Sequence, residues 1–187
     1  MIINMTGEGE IHILMGCMYA GKTSELVRRL SRYESIDLKV LLVSPQIDTR
    51  GSDSVICHDG HDMKALKISK LKDLFQSQRY KDSTVIGIDE GQFFSDLFEF
   101  CKVACEKDHK HIVVASLDSA YERKPFSGDI MNVCRIADSI IKLYAFCGIC
   151  KNGTRAIFTR RIKQDTKQEL IGGKDAYISV CRKHYNT

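Results

Sequence analysis

Three groups of residues in this chain have the types and the spacing to do chemistry. The first is Gly16-Cys17-Met18-Tyr19-Ala20-Gly21-Lys22-Thr23, which fits G-x-x-x-x-G-K-[ST] in full. Glycines at those places let the backbone fold so that successive amide N–H groups point at a phosphate. Lys22 adds charge for the β- and γ-phosphates, Thr23 offers a hydroxyl to Mg²⁺, and the positive end of the following helix faces the same anion. The second group is Asp89-Glu90, which closes the apolar run Val85-Ile86-Gly87-Ile88. Asp89 suits the metal side of a bound nucleotide, directly or through water. Glu90 can activate water in an NTPase or accept a proton from a substrate hydroxyl in a kinase. The third group is Cys147-Gly148-Ile149-Cys150 with Cys181-Arg182-Lys183-His184, two knuckles thirty residues apart. Three thiolates and one imidazole form a tetrahedral set suited to Zn²⁺. Protein fills all four positions, so a structural role is expected.

The elements that must position these groups read as an alternation. Ile11 to Met15 is a first strand and Ser24 to about Glu34 the helix after it. Short apolar runs at Lys39–Ser44, Thr84–Asp89 and His111–Ser116 are further strands. Leu97, Phe98, Cys101 and Cys105 mark one face of a helix between the last two. Continuous apolar strands separated by helices predict an α/β fold, a mostly parallel sheet of P-loop NTPase type flanked by helices. After about Tyr144, cysteine pairs, glycines and basic residues replace the apolar periodicity. The expected division is residues 1–143 as a nucleotide-binding core and 144–187 as a small zinc-ribbon-like lobe. The segment between the knuckles carries Ile171-Gly172-Gly173 and then Tyr177. Composition alone suits equally a loop that covers a ligand and a plain β-hairpin.

Composition excludes several classes. The chain has 187 residues, of which 43% are apolar, enough for one sizeable core, so disorder is out. Only two prolines and no low-complexity run leave no linker between large domains. The net charge of +4 is spread rather than clustered, so neither nucleic acid nor membrane is expected as a partner. No apolar stretch nears the ~20 residues that span a bilayer. The start, MIINMTGEGE, lacks a signal peptide's basic and apolar blocks, and a cytoplasmic location is expected. In that compartment paired cysteines hold metal more often than they form disulfides. Cys17, Cys57, Cys101, Cys105 and Cys134 read as small buried hydrophobes. Cys57-His58 with His61 reads as surface and is given no ligand role.

Taken in order, the motifs resemble the thymidine kinases shared by animal cytosol, many bacteria and large DNA viruses. The resemblance runs from about Gly9 to Tyr185. It rests on the P-loop with Met18 in it, Ile47-Asp48-Thr49-Arg50, and Ile88-Asp89-Glu90-Gly91-Gln92-Phe93-Phe94. Leu117-Asp118, Tyr121-Glu122-Arg123-Lys124-Pro125-Phe126, the two knuckles and Ile171-Gly172-Gly173 to Tyr177 complete it.

The resemblance implies transfer of the γ-phosphate of ATP, with Mg²⁺, to the 5′-hydroxyl of thymidine or deoxyuridine. Glu90 matches the family's base, and Arg50 with Asp48 matches its arginine beside the 5′-oxygen and phosphates. Met18, Gln92, Phe93, Leu117, Tyr121 and Phe126 match the pocket around the pyrimidine. The inter-knuckle loop matches the family's lasso, whose backbone around Gln168, Glu169, Leu170, Ile171 and Gly172 bonds the base edge, with Tyr177 packing nearby. This resolves the loop in favour of the functional reading. Homotetramers and inhibition by thymidine triphosphate (dTTP) are also implied. The chain departs from the family at Cys17 (usually proline), at Tyr19 and Tyr121 (commonly phenylalanine) and at His184 (often cysteine). Two extra residues lie between Cys150 and Thr159. An ATPase whose zinc lobe contacts nucleic acid is the alternative. It would need the basic run Arg155, Arg160, Arg161, Lys163 and Lys167 to present exposed stacking aromatics. A non-catalytic sensor would lack Lys22, Thr23, Asp89 or Glu90, and all four are present.

Overall fold

The computed structural model describes residues 7–47, 54–56 (backbone only), 62–126, 128, 130–162 and 176–187. Its centre is a seven-stranded sheet built from β1 (Glu10–Gly16), β2 (Val40–Pro45), β3 (Ser54–Ile56), β4 (Asp62–Ile68), β5 (Val85–Ile88), β6 (His111–Leu117) and β7 (Ser139–Leu143). The strands lie in the order β3-β4-β2-β5-β6-β1-β7. All neighbours are parallel except β3 against β4. The four strands expected from apolar runs are β1, β2, β5 and β6, which form its centre. The outer strands β4 and β7 carry lysines or exposed positions, and that removes the apolar signature from their sequences.

Two apolar clusters sandwich the sheet. Helix α1 (Lys22–Glu34) turns Leu26, Val27, Leu30 and Tyr33 onto Leu14, Leu42, Val85 and Val113. On the other face Ile11, Ile13, Val43, Ile86, Ile88 and Ile112 meet Phe94 and α3 (Leu97–Glu106). Between them, in chain order, comes a short α2 (Gln78–Asp82). The buried side of α3 is Leu97, Phe100, Cys101 and Ala104, with Phe98 and Cys105 on its flanks. Of the cysteines expected inside, Cys17 and Cys101 are buried, Cys105 and Cys134 are half-buried, and Cys57 lies outside the described residues.

After α4 (Ile130–Val133) and β7, the chain leaves the sheet. Two small antiparallel pairs follow, β8 (Ala145–Phe146) with β9 (Arg155–Ala156) and β10 (Phe158–Arg161) with β11 (Tyr177–Val180), and then a short α5 (Arg182–Asn186). Their core is Ala145, Cys147, Ala156, Val180 and Cys181, and Cys17 of the P-loop packs into it. No described helix is long and apolar enough to cross a membrane.

Candidate active site

Parallel strands in the order β5-β6-β1 bring three strand ends to one edge of the sheet. β1 ends in the P-loop, β6 at Leu117-Asp118, and β5 at Asp89-Glu90. Two glycines make the loop's path possible. A Cβ on Gly16 would collide with the Leu143 carbonyl oxygen, and Gly21 opens α1 at φ 78°, in the left-handed region. Lys22 is buried and donates through Nζ to the Cys17 carbonyl at 2.8 Å, bracing the loop across its mouth. Burial lowers the pKa of its amine, while Glu90, Cys17 and Asp89 pull it back up.

Thr23 Oγ1 stands 3.1 and 3.3 Å from the two carboxylate oxygens of Asp89 and donates to them. Burial, and then the neighbouring Glu90 charge, push the Asp89 carboxyl up to about 7. A hydroxyl and a carboxylate meeting beside a P-loop lysine are the donor set that a hard cation on a nucleotide phosphate takes. Glu90 sits at φ 51°, a left-handed conformation rarely adopted by a side-chain-bearing residue. Gln92 fixes its carboxylate, donating from Nε2 to Glu90 Oε2 at 2.5 Å. The Gln92 Oε1 accepts from Ser116 Oγ at 3.1 Å and Leu117 N–H at 2.9 Å. The Gln92 side chain is fully buried, so it stands behind Glu90 and braces it rather than lining an open pocket wall.

Beyond Glu90, Phe93 and Phe126 meet edge to face at 6.0 Å, with Leu117 at the end of β6. Tyr121 lies in the same 118–126 loop, and its hydroxyl reaches Glu122 Oε1 at 3.2 Å, the partner that its extra oxygen needs. Asp118 pairs with Lys142 at 2.8 Å.

The four expected zinc ligands converge. Sγ of Cys147, Cys150 and Cys181 lie 3.5, 3.3 and 3.5 Å from His184 Nδ1, and Cys150 and Cys181 are 3.9 Å apart. A tetrahedral zinc with Zn–S of ~2.3 Å and Zn–N of ~2.0 Å separates its ligand atoms by roughly 3.5–3.8 Å, so this set can hold the ion. Burial raises the Cys147 thiol, but N–H groups of Cys150 and Cys181 and the His184 ring outweigh it and bring it to about 5, the thiolate a metal requires. Among the described residues this is the one group with metal-ligand geometry.

The lobe also grips the P-loop, through residues that no motif marks. Thr159 on β10 accepts the Met18 N–H at 3.0 Å, and Ser179 on β11 donates to the Met18 carbonyl at 2.6 Å. Thr159 and Ser179 are directly paired across the hairpin, so one rung holds both backbone groups of Met18. The Met18 amide therefore points outward to Thr159, unlike the all-inward cradle expected from the motif. Tyr19 reaches the Tyr177 carbonyl at 3.4 Å, and the Cys17 thiol reaches the Ala156 carbonyl at 3.4 Å. Ala20 packs beside this joint. No sequence signal marks this joint, because the pairing of Thr159 with Ser179 exists only in the assembled strands.

Three residues of the basic run, Arg155, Arg160 and Arg161, have partners within the chain. The Arg155 guanidinium stacks 4.2 Å from the Tyr144 ring, and Arg160 donates to the His184 carbonyl at 2.8 Å. Arg161 lies 4.1 Å over Tyr121 and bonds Tyr177 Oη at 2.9 Å. Planar guanidinium groups stack on rings whenever the fold brings the two together, which a linear sequence does not reveal. Asp48, Thr49, Arg50, His58, His61, Lys163, Lys167 and the stretch Gln168, Glu169, Leu170, Ile171, Gly172 and Gly173 lie outside the described residues.

Comparison with known proteins agrees with this geometry. The sequence model of the family described as thymidine kinase matches residues 9–185. A thymidine kinase of rice is 44% identical over 182 residues, covering 95% of this chain and 66% of the rice protein. A thymidine kinase of vaccinia virus (strain Ankara) is 40% identical over 177 residues, 95% of this chain and 97% of the viral protein. The human cytosolic thymidine kinase is 42% identical over 177 residues, 95% of this chain and 73% of the human one.

Proposed function

The chain belongs to the thymidine kinase family, and from that premise we propose that it transfers the γ-phosphate of ATP to the 5′-hydroxyl of thymidine, and of deoxyuridine. The observation that carries the mechanism is the convergence of Lys22, Thr23–Asp89 and Glu90–Gln92 on one edge of the sheet.

In this reading the loop 16–23 holds the ATP phosphates, and the buried Lys22 turns from the Cys17 carbonyl to the β- and γ-oxygens. Thr23 and Asp89 would hold Mg²⁺, which supplies charge neutralisation on the phosphates when bound. Phosphoryl transfer passes through a loose transition state, so positioning and charge carry most of the acceleration. Glu90 orients the 5′-hydroxyl and takes its proton, and Gln92 fixes the carboxylate direction. Met18, Phe93, Leu117, Tyr121 and Phe126 enclose the pyrimidine. Arg50 and Asp48 serve the 5′-oxygen and phosphates, while the backbone of 168–172 reads the base edge and Tyr177 packs beside it. Residues 1–143 then act as the nucleotide-binding core and 144–187 as a zinc-holding lobe that carries the covering loop. A cytoplasmic homotetramer inhibited by dTTP completes the proposal. Arg155 and Arg161 stack on the chain's own Tyr144 and Tyr121, and the match to the thymidine kinase family favours the kinase over an ATPase that contacts nucleic acid.

The test is transfer from γ-labelled ATP and Mg²⁺ to thymidine, deoxyuridine, deoxycytidine and purine deoxynucleosides, with a control lacking nucleoside. Transfer confined to the first two is expected. Phosphate release without an acceptor would replace the kinase reading with an ATPase.

A further inference from the structure

The 118–126 loop is tied to β7 by the Asp118–Lys142 pair at 2.8 Å and within itself by Glu122–Lys124 at 2.9 Å and by a local turn. Ala120 N–H reaches the Lys124 carbonyl at 2.9 Å, Arg123 N–H reaches the Ala120 carbonyl at 2.8 Å, and Arg123 sits at φ 63°. These two bonds lie within the loop and do not tie it to the zinc-ligand lobe. The outer anchor comes from the far end of the chain. Tyr185 donates its hydroxyl to the Tyr121 carbonyl at 2.8 Å across a sequence separation of 64 residues. Its ring packs on Phe158 with centroids 4.9 Å apart, and the Arg123 guanidinium caps it 4.4 Å from the centroid. Its backbone N–H is held by the Cys181 carbonyl at 3.0 Å, and the preceding carbonyl, that of His184, by Arg160 at 2.8 Å. Tyr185 is therefore fixed at its backbone, along its ring and at its hydroxyl, and the hydroxyl ends on the loop that carries the base pocket.

We propose that Tyr185 is a positioning residue for nucleoside binding, setting the Tyr121 loop against the zinc-ligand lobe through the Tyr185 Oη–Tyr121 carbonyl bond and the Arg123 stack. The proposal rests on the thymidine kinase reading, which gives residues 117–126 the base. Tyr185 touches no reacting atom. It acts on the depth and angle of the pocket wall, so it belongs to nucleoside affinity and not to the chemical step or to ATP.

The experiment compares Tyr185→Phe, which keeps the ring and deletes the hydroxyl, with Tyr185→Leu, which also removes the stack. Loss of a half-buried hydrogen bond is worth up to about tenfold in an equilibrium. Tyr185→Phe is expected to raise the thymidine KM about tenfold, with kcat and the ATP KM within about twofold. Tyr185→Leu should go further in the same direction. Zinc content, measured by atomic absorption, should be unchanged in Tyr185→Phe. An unchanged thymidine KM, a parallel rise in both KM values, or loss of zinc from Tyr185→Phe would overturn the proposal. Hydrogen exchange on peptides spanning 118–126 reads the anchor with no substrate present. Faster exchange is expected there and unchanged exchange in β1 and β6. If the parent chain transfers no phosphate to thymidine but exchange still quickens in the variant, the functional reading fails and the anchor stands. Equal exchange in parent and variant would sink the anchor itself.

Discussion

Replacing Glu90 by glutamine separates the proposed base from the geometry that holds it. Glu90 Oε2 accepts from Gln92 Nε2, and Gln92 is itself held by Ser116 and Leu117 on β6. A glutamine at 90 presents a carbonyl oxygen at the same reach, so the Gln92 bond and the turn at φ 51° have no reason to change. What disappears is a charge and a proton acceptor. A general base contributes about 10²–10⁴ in rate, and a loose phosphoryl transition state, which needs little nucleophile activation, puts this case at the lower end. The expected fall in kcat is about 10²–10³, or about 2.7–4.1 kcal/mol of lost transition-state stabilisation. Glu90 is also the first of the charges that favour the charged form of Lys22 against burial. Bound phosphates supply that same negative charge, so ATP affinity should stay within about threefold. The assay is steady-state transfer from γ-labelled ATP at saturating thymidine, with a separate titration of ATP binding. A Glu90→Gln kcat within about fivefold of the parent removes Glu90 from the base role. A matched loss of ATP binding would instead make Glu90 a support for Lys22.

Three other outcomes test separate parts of the structure. Cys150→Ser takes one of four candidate ligands, and bound zinc would help to fold the lobe, so zinc content should fall well below one per chain while core strands β1, β5 and β6 keep their amide protection; unchanged zinc content would remove Cys150 from the ligand set. Thr159→Val leaves the Met18 N–H without its acceptor and Ser179→Ala leaves the Met18 carbonyl without its donor, each worth about 1–1.5 kcal/mol, so the ATP KM should rise roughly five- to tenfold in either variant; a wild-type ATP KM in both would show that the lobe does not set the P-loop. His111 is buried beside His12, Glu10 and Asp138, and burial lowers its pKa despite the two carboxylates. The folded chain therefore refuses a proton that the unfolded chain takes at about pH 6.5, so stability should fall as pH drops below that value, and His111→Leu should flatten the decline in thermal midpoint. An equal decline in the variant would assign the effect elsewhere.

The sequence made the centre of the sheet and the chemistry at its edge legible for one reason. Strands buried on both faces must be continuously apolar, and groups that handle phosphate or zinc need fixed types at fixed spacing. Ile11–Met15, Val85–Ile88 and the Gly16–Thr23 loop all read directly on those grounds. Outer strands escape the same rule. Asp62–Ile68 carries Lys64 and Lys67, and Ser139–Leu143 exposes Ile140 and Ile141, so neither has a period that single-sequence reading can separate from a loop. The site divides in the same way. Spacing marks Cys147, Cys150, Cys181 and His184, but nothing in the linear order says that Thr159 faces Ser179, or that this rung would hold Met18. Contacts made by single small hydroxyls or by one tyrosine across the fold depend on register, and register is a property of the assembled hairpin.

That register ties the lobe to the P-loop although its four candidate ligands would leave no open coordination position. Cys17 shares an apolar cluster with Cys147 and Cys181, so the first variable residue of the P-loop is packed into the core that the metal ligands line. The residue after it, Met18, is held at both backbone groups by β10 and β11, and the Tyr121 loop is held by Tyr185 next to His184. One small body therefore fixes the loop proposed to take phosphates and the loop proposed to take the base. Phosphoryl transfer between two bound molecules depends on their mutual distance more than on any single contact, since misplacement by about 1 Å costs on the order of 10²-fold. Two flexible loops anchored separately to the sheet would add their errors, whereas two loops anchored to one lobe move together. The cysteine in place of the family's usual proline fits this arrangement. Its thiol reaches the Ala156 carbonyl and stays neutral because burial raises its pKa, so it acts as a small apolar plug with one weak donor at the joint between loop and lobe.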